Sequence, residues 1–329
     1  MKQRKLGQSG PLVSAVGYGA MSFTDFYGPA DDTESPRVLD KCLDLGISHL
    51  DTSNVYGMGR SETVIGTWLK ARKGENPFTI ASKVGITRDP DHRFNNAPDH
   101  MAQELDASLS RLGVEAIDLY YVHRRDPRHE IEAVTETMAG FVKAGKVKAI
   151  GFSEIAPSSL RRAHAVYPVA AVQSEYSLST RLPELGLLQT CAELGTALVA
   201  FSPVGRALLT DRPHSFETVQ DLPFLANNPR FSGPNLSANL GYNAQFCELA
   251  AEMGVAAATL AIAWVLHQGE HVFAIPGTRK ITHLEEVAAG GTLELSSDDL
   301  ARIEAVLPVG WAHGDRYSAT QSVGPEGYC

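Results

Sequence analysis

Short apolar runs and amphipathic segments alternate along most of the chain. Val38, Leu39, Cys42 and Leu43 share one face of a predicted helix, and that helix ends at Gly46, where a left-handed glycine is favoured. A short run of alternating apolar and polar residues follows, as expected for a strand. The same order then repeats, and the predicted strands begin near residues 13, 47, 78, 117, 147, 170, 197 and 272.

Eight strands that alternate with helices favour an α/β fold in which a parallel sheet closes into a single (β/α)8 TIM barrel, forming one domain over residues 1–329. The alternative is a doubly wound sheet, which normally carries a glycine-rich dinucleotide turn after its first strand. Gly17 and Gly19 supply two of the three glycines of that turn, and the third is missing.

Segments outside the eight strands complete the predicted architecture. The first seventeen residues are typical of a small hairpin, and a helix over 297–306, capped by residues 297–299, precedes a C-terminal tail. The connection 205–240 is rich in Pro, Asn and Ser, so we expect a long functional loop at the C-terminal face of the barrel.

Composition and charge limit the classes of function. A hydrophobic content of 43% fits a soluble protein with a large core, and a net charge of −9 argues against binding nucleic acid or anionic lipid. The longest apolar run, 255–266, is too short to span a bilayer, and the N-terminus does not resemble a signal peptide, so we expect a cytoplasmic protein.

The cysteines do not indicate a disulfide framework or a metal site. Cys42, Cys191, Cys247 and Cys329 lie far apart, without the CxxC or Cys/His spacing of a zinc site. We therefore predict reduced thiols and no bound metal.

Proton-active side chains follow three consecutive predicted strands. Asp51 and Tyr56 come after the strand that begins near residue 47, Lys83 ends the next strand, and His123 ends the third. The C-terminal ends of the strands form the catalytic rim of a (β/α)8 barrel, so we expect these four side chains to lie together.

These four residue types suit proton delivery to a carbonyl oxygen. A tyrosine has a pKa of about 10, and the neighbouring ammonium group of Lys83 is expected to lower the pKa of Tyr56. Asp51 would hold Lys83 charged, and His123 would orient the carbonyl group. Each residue also has a structural explanation: Asp51 as a loop cap, Lys83 as a solvated charge, and Tyr56 and His123 as packing residues. Their joint placement favours catalysis, and reduction would further need a hydride from a cofactor.

Around these residues the sequence resembles the aldo-keto reductase family. The resemblance rests on segments 50–57, 82–83 and 118–124, and it continues at 145–153, 173–176, 201–205 and 275–279. Segments 26–29, 34–35 and 314–317 are similar to a branch that contains pyridoxal reductases and plant perakine reductase. The family implies a barrel that binds extended NADPH (NADP+) without a Rossmann fold and reversibly reduces aldehydes or ketones.

The resemblance also implies roles for individual residues. Tyr56 would be the general acid, with Asp51, Lys83 and His123 completing a tetrad. The implied cofactor-binding residues are Gly19, Met21, Ser153, Gln173, Phe201, Ser202, Pro203, Gly205, Arg206, Gly277, Thr278, Arg279, Lys280, His283 and Glu286.

Within the implied cofactor set, different residues would contact different parts of NADPH. Ser153 and Gln173 would hold the nicotinamide carboxamide, Phe201 would stack on the nicotinamide ring, and segment 202–206 would line the pyrophosphate. Segment 278–280 would face the 2′-phosphate, and its two cations at the start of a helix also favour an anion on physical grounds.

Four positions depart from the family pattern. Phe201 stands where many members have tyrosine, Glu154 where asparagine is frequent, His283 where many have arginine, and Val287 where many have asparagine. The last two positions bear on the preference for NADPH over NADH.

The leading prediction is an NADPH-dependent carbonyl reductase that can also run as an alcohol dehydrogenase. A cofactor-binding redox sensor with negligible turnover is one alternative, and a cofactor-free isomerase that uses His123 and Lys83 is another. Aromatic residues at 23, 26, 27 and 311, with the cationic loop 124–128, predict a pocket for bulky cyclic or aromatic carbonyl compounds. We expect a monomer.

Overall fold

An antiparallel hairpin and eight parallel strands form the centre of the molecule in the computed structural model, which describes residues 1–8, 10–31, 33–72, 74–89 and 91–328. The strands are β1 (Gln3–Lys5), β2 (Leu12–Ser14), β3 (Tyr18–Gly19), β4 (His49–Asp51), β5 (Thr79–Val84), β6 (Leu119–Val122), β7 (Ile150–Ser153), β8 (Val169–Glu175), β9 (Ala197–Phe201) and β10 (Val272–Ala274). β1 pairs with β2, and β3 to β10 pair in chain order with parallel register.

Hydrogen bonds between the first and last parallel strands close the sheet into a barrel. The Gly17 amide donates to the Ala274 carbonyl at 2.8 Å, and the Ala274 amide donates to the Ala15 carbonyl at 3.1 Å. The predicted (β/α)8 barrel is therefore confirmed, and the doubly wound alternative is wrong.

The first barrel strand begins later than predicted. The expected strand 13–20 divides into two pieces: Leu12–Ser14 pairs with the hairpin partner Gln3–Lys5, and only Tyr18–Gly19 pairs with β4. Both pieces are largely buried, so hydrophobic periodicity does not reveal the break between them.

Helices cover the outside of the barrel. They are α1 (Glu34–Asp44), α2 (Arg60–Ala71), α3 (Pro98–Leu112), α4 (Ile131–Lys143), α5 (Pro157–Val166), α6 (Leu187–Leu194), α7 (Phe216–Gln220), α8 (Pro223–Ala226), α9 (Gly233–Glu252), α10 (Ala257–His267), α11 (Ile281–Ala289) and α12 (Ser297–Val306). Short 3-10 turns occur at Ala20–Phe23, Asp25–Tyr27, Tyr56–Gly59, Leu182–Glu184 and Pro229–Phe231. The predicted C-terminal helix is confirmed at 297–306, but its cap is Ser296, which exchanges hydrogen bonds with Asp299.

The connection 205–240, predicted as a long functional loop, is partly helical. It contains α7, α8, the turn Pro229–Phe231 and the start of α9. Asparagines of α9 hold the segment together, since the Asn239 amide donates to the Arg230 carbonyl at 2.9 Å and the Asn243 amide to the Leu208 carbonyl at 2.8 Å. Buried amide side chains therefore satisfy carbonyls that no regular helix or strand would pair.

The barrel interior is filled with side chains rather than open. Buried residues from alternate positions meet there, and the hairpin lies against the same cluster; its members include Leu6, Val13, Ala81, Leu119, Tyr121, Ala171, Val199 and Phe273. Gly151 gives the Tyr121 ring its space, because a Cβ at this position would lie 2.5 Å from the ring. The packed interior leaves the C-terminal ends of the strands as the position for a site.

No single helix within the described residues is long and apolar enough to cross a membrane. α9 and α10 reach that length and composition only as a pair, and they are bent by 88°. Cys42, Cys191 and Cys247 are free thiols. Cys329 lies outside the described residues.

Candidate active site

A cavity of about 870 Å³ lies at the C-terminal ends of the barrel strands. Asp51 of β4, Ser153 of β7 and Phe201 of β9 all line it, together with segments that follow other strands. This volume falls within the range typical of sites for small molecules and cofactors.

Asp51, Tyr56 and His123 line this cavity, and Lys83, the fourth predicted catalytic residue, contacts Asp51 and Tyr56 from a buried position. Lys83, which is fully buried, donates hydrogen bonds to the Asp51 carboxylate, to the Thr52 carbonyl at 2.8 Å and to the Tyr56 hydroxyl at 3.3 Å. Gln173 donates to the other carboxylate oxygen of Asp51 at 2.7 Å. Asp51 and Gln173 thereby fix the ammonium group against the tyrosine.

The pKa of Tyr56 differs in direction from the prediction. Burial raises the pKa of the hydroxyl, and this effect outweighs the neighbouring charge of Lys83, which Asp51 partly offsets. For Lys83 itself, burial lowers the pKa, but the pairing with Asp51 and the contact with Tyr56 raise it above its usual value. At neutral pH the site therefore holds a neutral phenol beside a charged amine.

His123 lies at the edge of the Tyr56 ring, with 5.7 Å between the ring centroids. Its Nδ1 is 3.1 Å from the Ser53 hydroxyl, so Nε2 is the nitrogen left for another group. Burial, followed by the charges of Arg124 and Lys83, holds the pKa of His123 well below its usual value. A neutral imidazole can contact a carbonyl oxygen without adding a charge to the site.

Most of the implied cofactor residues line the same cavity. They are Gly19, Met21, Ser153, Gln173, Phe201, Ser202, Pro203, Arg206, Gly277, Thr278, Arg279, Lys280, His283 and Glu286. Gly205 is the exception among the described residues of that set, because it forms a left-handed turn whose Cα faces the Ser179 hydroxyl. Its implied role as a cofactor contact stays a prediction.

Arg279 is held by the protein itself. Its guanidinium donates to the carbonyls of Gly28, Pro29 (2.8 Å) and Tyr27 (2.6 Å), so it fixes the loop that carries Phe26 and Tyr27. These contacts leave Lys280 as the exposed cation of segment 278–280.

The connection after β9 adds a cation that the sequence reasoning missed. Arg212 lines the cavity and lies 3.2 Å from Nε2 of His283, at the start of α11 and near Lys280. A guanidinium therefore stands beside the position where the family pattern has arginine and this chain has histidine. No sequence motif surrounds Arg212, so its place in the site is visible only from its contact with His283, which lies 71 residues later in the chain.

Buried ion pairs form the wall next to Phe201. Arg206 donates to Glu175 at 2.5 Å, and Arg316 of the C-terminal tail donates to Glu154. The departure at Glu154 is thus explained by its arginine partner. Burial would raise the pKa of Glu154, but Arg316 outweighs it and holds that pKa below its usual value.

The aromatic walls are partly those predicted. Phe26 and Tyr27 line the cavity, as does Arg124 from the predicted cationic loop. Phe23 and Trp311 do not: Phe23 is buried under the loop, and the Trp311 indole donates to the Leu178 carbonyl at 2.8 Å. Further aromatic walls that the sequence reasoning did not assign are Phe94, Phe224 and Tyr317.

Within the described residues, no group of three or more His, Cys, Asp or Glu side chains could hold a metal ion.

Comparisons with known proteins identify the family and the fold of the chain. The model of the family described as aldo/keto reductase family matches residues 15–308. The chain is 38% identical over 322 residues to aldo-keto reductase str7 of Strobilurus tenacellus, covering 95% of this chain and 94% of the relative. It is 35% identical over 320 residues to an aldo-keto reductase of Schizosaccharomyces pombe, yakc, whose name specifies NADP(+), covering 95% and 94%.

Two solved structures resemble the fold at 26% identity. The glycerol dehydrogenase AKR11B4 from Gluconobacter oxydans has a TM-score of 0.81, and the match covers 93% of this chain and 94% of that one. A thermostable aldo-keto reductase, Tm1743, in complex with the inhibitor epalrestat has a TM-score of 0.74, with coverage of 93% and 100%.

Proposed function

The chain belongs to the aldo/keto reductase family, and from that membership we propose that it is an NADPH-dependent oxidoreductase that reversibly reduces aldehydes or ketones to alcohols. The observation that carries this proposal is the contact of the Tyr56 hydroxyl with Lys83 at 3.3 Å, inside a cavity of about 870 Å³. A phenol next to a buried ammonium group is suited to give a proton to a substrate oxygen.

The residues around the cavity fit a dinucleotide with a 2′-phosphate. Arg212, Lys280 and His283 gather at the start of α11, where cations and backbone N–H groups favour a phosphate. Ser202, Arg206 and Ala207 all have left-handed backbone conformations in one short turn, and such strained residues cluster at ligand sites. Ser153, Gln173 and Phe201, which all line the cavity, remain candidates for the nicotinamide end.

When bound, NADPH would supply the hydride that reduces the carbonyl carbon. Tyr56 would donate the proton to the carbonyl oxygen, and its raised pKa keeps that proton available at neutral pH. Lys83, held by Asp51, would stabilise the phenolate that remains after the transfer. His123 would direct the oxygen toward Tyr56 through Nε2.

The walls of the cavity indicate the class of substrate. Phe26, Tyr27, Phe94, Phe224 and Tyr317 offer flat apolar surface, which favours cyclic or aromatic carbonyl compounds. Pyridoxal belongs in a test panel because of the resemblance at segments 26–29 and 314–317.

The proposal is tested by mixing wild type with NADPH and a panel of aromatic aldehydes and ketones and following the cofactor absorbance. We expect turnover by wild type and a loss of at least about a hundredfold in kcat for Tyr56→Phe, the lower bound for removing a general acid. Tyr120→Phe is the matched control, because the Tyr120 hydroxyl is buried outside the cavity and has no hydrogen-bond partner in the part of the chain that the structure describes.

Binding and turnover together separate the outcomes. NADPH affinity, measured by fluorescence titration, should be similar in Tyr56→Phe and wild type. Undiminished turnover by Tyr56→Phe would contradict the proposal. Tight NADPH binding without turnover of any carbonyl compound would also contradict it, and would point to a redox-sensing role instead.

A further inference from the structure

Arg124 places a guanidinium group in the cavity directly after His123. Its Nη1 donates to the His123 carbonyl at 2.6 Å and to the Ser153 hydroxyl at 3.0 Å. An arginine carries five N–H donors. The protein contacts of Nη1 leave Nε and Nη2 without a protein acceptor among the described residues.

Two arginines near Arg124 are neutralised by carboxylates, whereas the cavity-lining Arg93 and Arg279 donate to backbone carbonyls. Arg206 pairs with Glu175, and Arg316 pairs with Glu154, whose other oxygen accepts from the Ser174 hydroxyl and the Glu175 amide. Arg124 forms no ion pair within the described parts of the chain, although it is only half-exposed. Its charge acts on the Glu154 carboxylate, but that carboxylate is already paired with Arg316, so Arg124 has no counterion of its own among the described residues.

The cavity offers Arg124 no acidic partner. The acidic residues of the described chain that line it are Asp51, Asp211 and Glu286. Asp51 is already paired with Lys83, Asp211 accepts from the Ala257 amide at 2.9 Å, and Glu286 lies on α11, the helix of His283. A carboxylate on a ligand would give the guanidinium a counterion that the lining of the cavity does not supply.

The aromatic walls restrict the shape of such a ligand. Phe94 and Tyr317 line the cavity together with Arg124, and a flat ring packs well between such surfaces. We infer that Arg124 binds a carboxylate of the substrate, so that the preferred substrates are aromatic aldehydes bearing a carboxylate, with the aldehyde at Tyr56 and His123. This inference rests on the proposed carbonyl reduction and adds a charge requirement to it.

The test compares substrates that differ in charge at one position. Values of kcat/KM with NADPH are measured for 3- and 4-carboxybenzaldehyde and for their methyl esters, in wild type, Arg124→Gln, Arg124→Lys and Arg93→Gln. Arg93 is the matched control, since it is an exposed cation that lines the same cavity while its guanidinium bonds the Thr320 carbonyl at 2.9 Å.

We expect wild type to favour one of the carboxylates over its ester by about tenfold or more, the scale of one hydrogen bond between charged groups. Arg124→Gln should abolish that ratio, Arg124→Lys should keep part of it, and Arg93→Gln should change it by less than about threefold. Equal rates for acid and ester in wild type would overturn the inference. Equal losses in Arg93→Gln and Arg124→Gln would also overturn it, because they would indicate the general field of the cavity.

A binding measurement separates this inference from the proposed function. Calorimetry with NADPH and 4-(hydroxymethyl)benzoate or its methyl ester reports binding of the alcohol without any reaction. A carboxylate preference that Arg124→Gln removes would support the subsite even if turnover fails. Turnover of the esters without a carboxylate preference in either assay would refute the subsite and leave the carbonyl reductase intact.

Discussion

His49 gives the protein a dependence of stability on pH that can be calculated from its surroundings. Its side chain is fully buried on β4, two residues before Asp51, and neither ring nitrogen has a hydrogen-bond partner among the described residues. Burial lowers the pKa of His49 from 6.5 to about 4. The folded state therefore favours the neutral ring, whereas an unfolded chain would accept a proton near pH 6.5.

The sign and size of the effect follow from proton linkage. Below pH 6.5 the unfolded state binds more protons than the folded state, so stability is complete above this pH and is lost as the pH falls toward 4. The full difference corresponds to roughly 3 kcal/mol, and about 2 kcal/mol of it is lost between pH 7 and pH 5.

Urea unfolding at pH 7 and pH 5 measures this loss in wild type, His49→Leu and the control His267→Gln. His267 is an exposed histidine at the end of α10. We expect the fall in unfolding free energy to be about 2 kcal/mol smaller in His49→Leu than in wild type. Other titrating groups contribute equally to both proteins, so an equal fall in the two would refute the reasoning.

Three further predictions concern the site. Lys83→Met leaves the buried Asp51 carboxylate without its ion-pair partner and should lower the free energy of unfolding by about 3–5 kcal/mol. Adding Asp51→Asn in a double variant should restore part of this loss. A loss below about 1 kcal/mol in Lys83→Met would contradict the prediction. Arg212→Met should weaken NADPH binding about tenfold in fluorescence titrations, while NADH affinity changes less than about twofold. Equal losses of affinity for NADPH and NADH would exclude a contact between Arg212 and the 2′-phosphate. Burial raises the pKa of Tyr56 above its usual value of 10.0, and the acid form is the active one, so the rate of reduction of a neutral aldehyde should show no decline from Tyr56 ionisation below that usual value. A decline centred near pH 8 in the rate profile would contradict this.

The arrangement of the barrel could be predicted because its signals are local. Glycines after helices and polar residues at strand ends gave the number of strands, and the barrel rule brought Asp51, Lys83 and His123 to one edge. The first strand was misplaced because the buried hairpin strand Leu12–Ser14 has the same apolar character as the barrel strand. Short helices in 205–240 were missed because buried asparagine side chains, rather than periodicity, hold that segment.

Features of the site that depend on distant contacts could not be predicted. The direction of the Tyr56 pKa depends on how deeply the fold buries the hydroxyl. Arg279 has a structural role in addition to any contact with a ligand, because its guanidinium donates hydrogen bonds to carbonyls of residues 27–29. Glu154 and Arg316 lie 162 residues apart, so their pairing becomes visible only in the folded chain.

Deuterium transfer tests the central claim most directly. Wild type is incubated with an aromatic aldehyde and NADPH carrying deuterium at C4 of the nicotinamide on both faces, and the alcohol is analysed by mass spectrometry and NMR. Hydride transfer from the cofactor to the carbonyl carbon predicts an alcohol with one deuterium on the carbinol carbon, and proton delivery to the oxygen by Tyr56 predicts that its formation is strongly reduced in Tyr56→Phe. An alcohol without deuterium, or no alcohol from any carbonyl compound, would contradict the account.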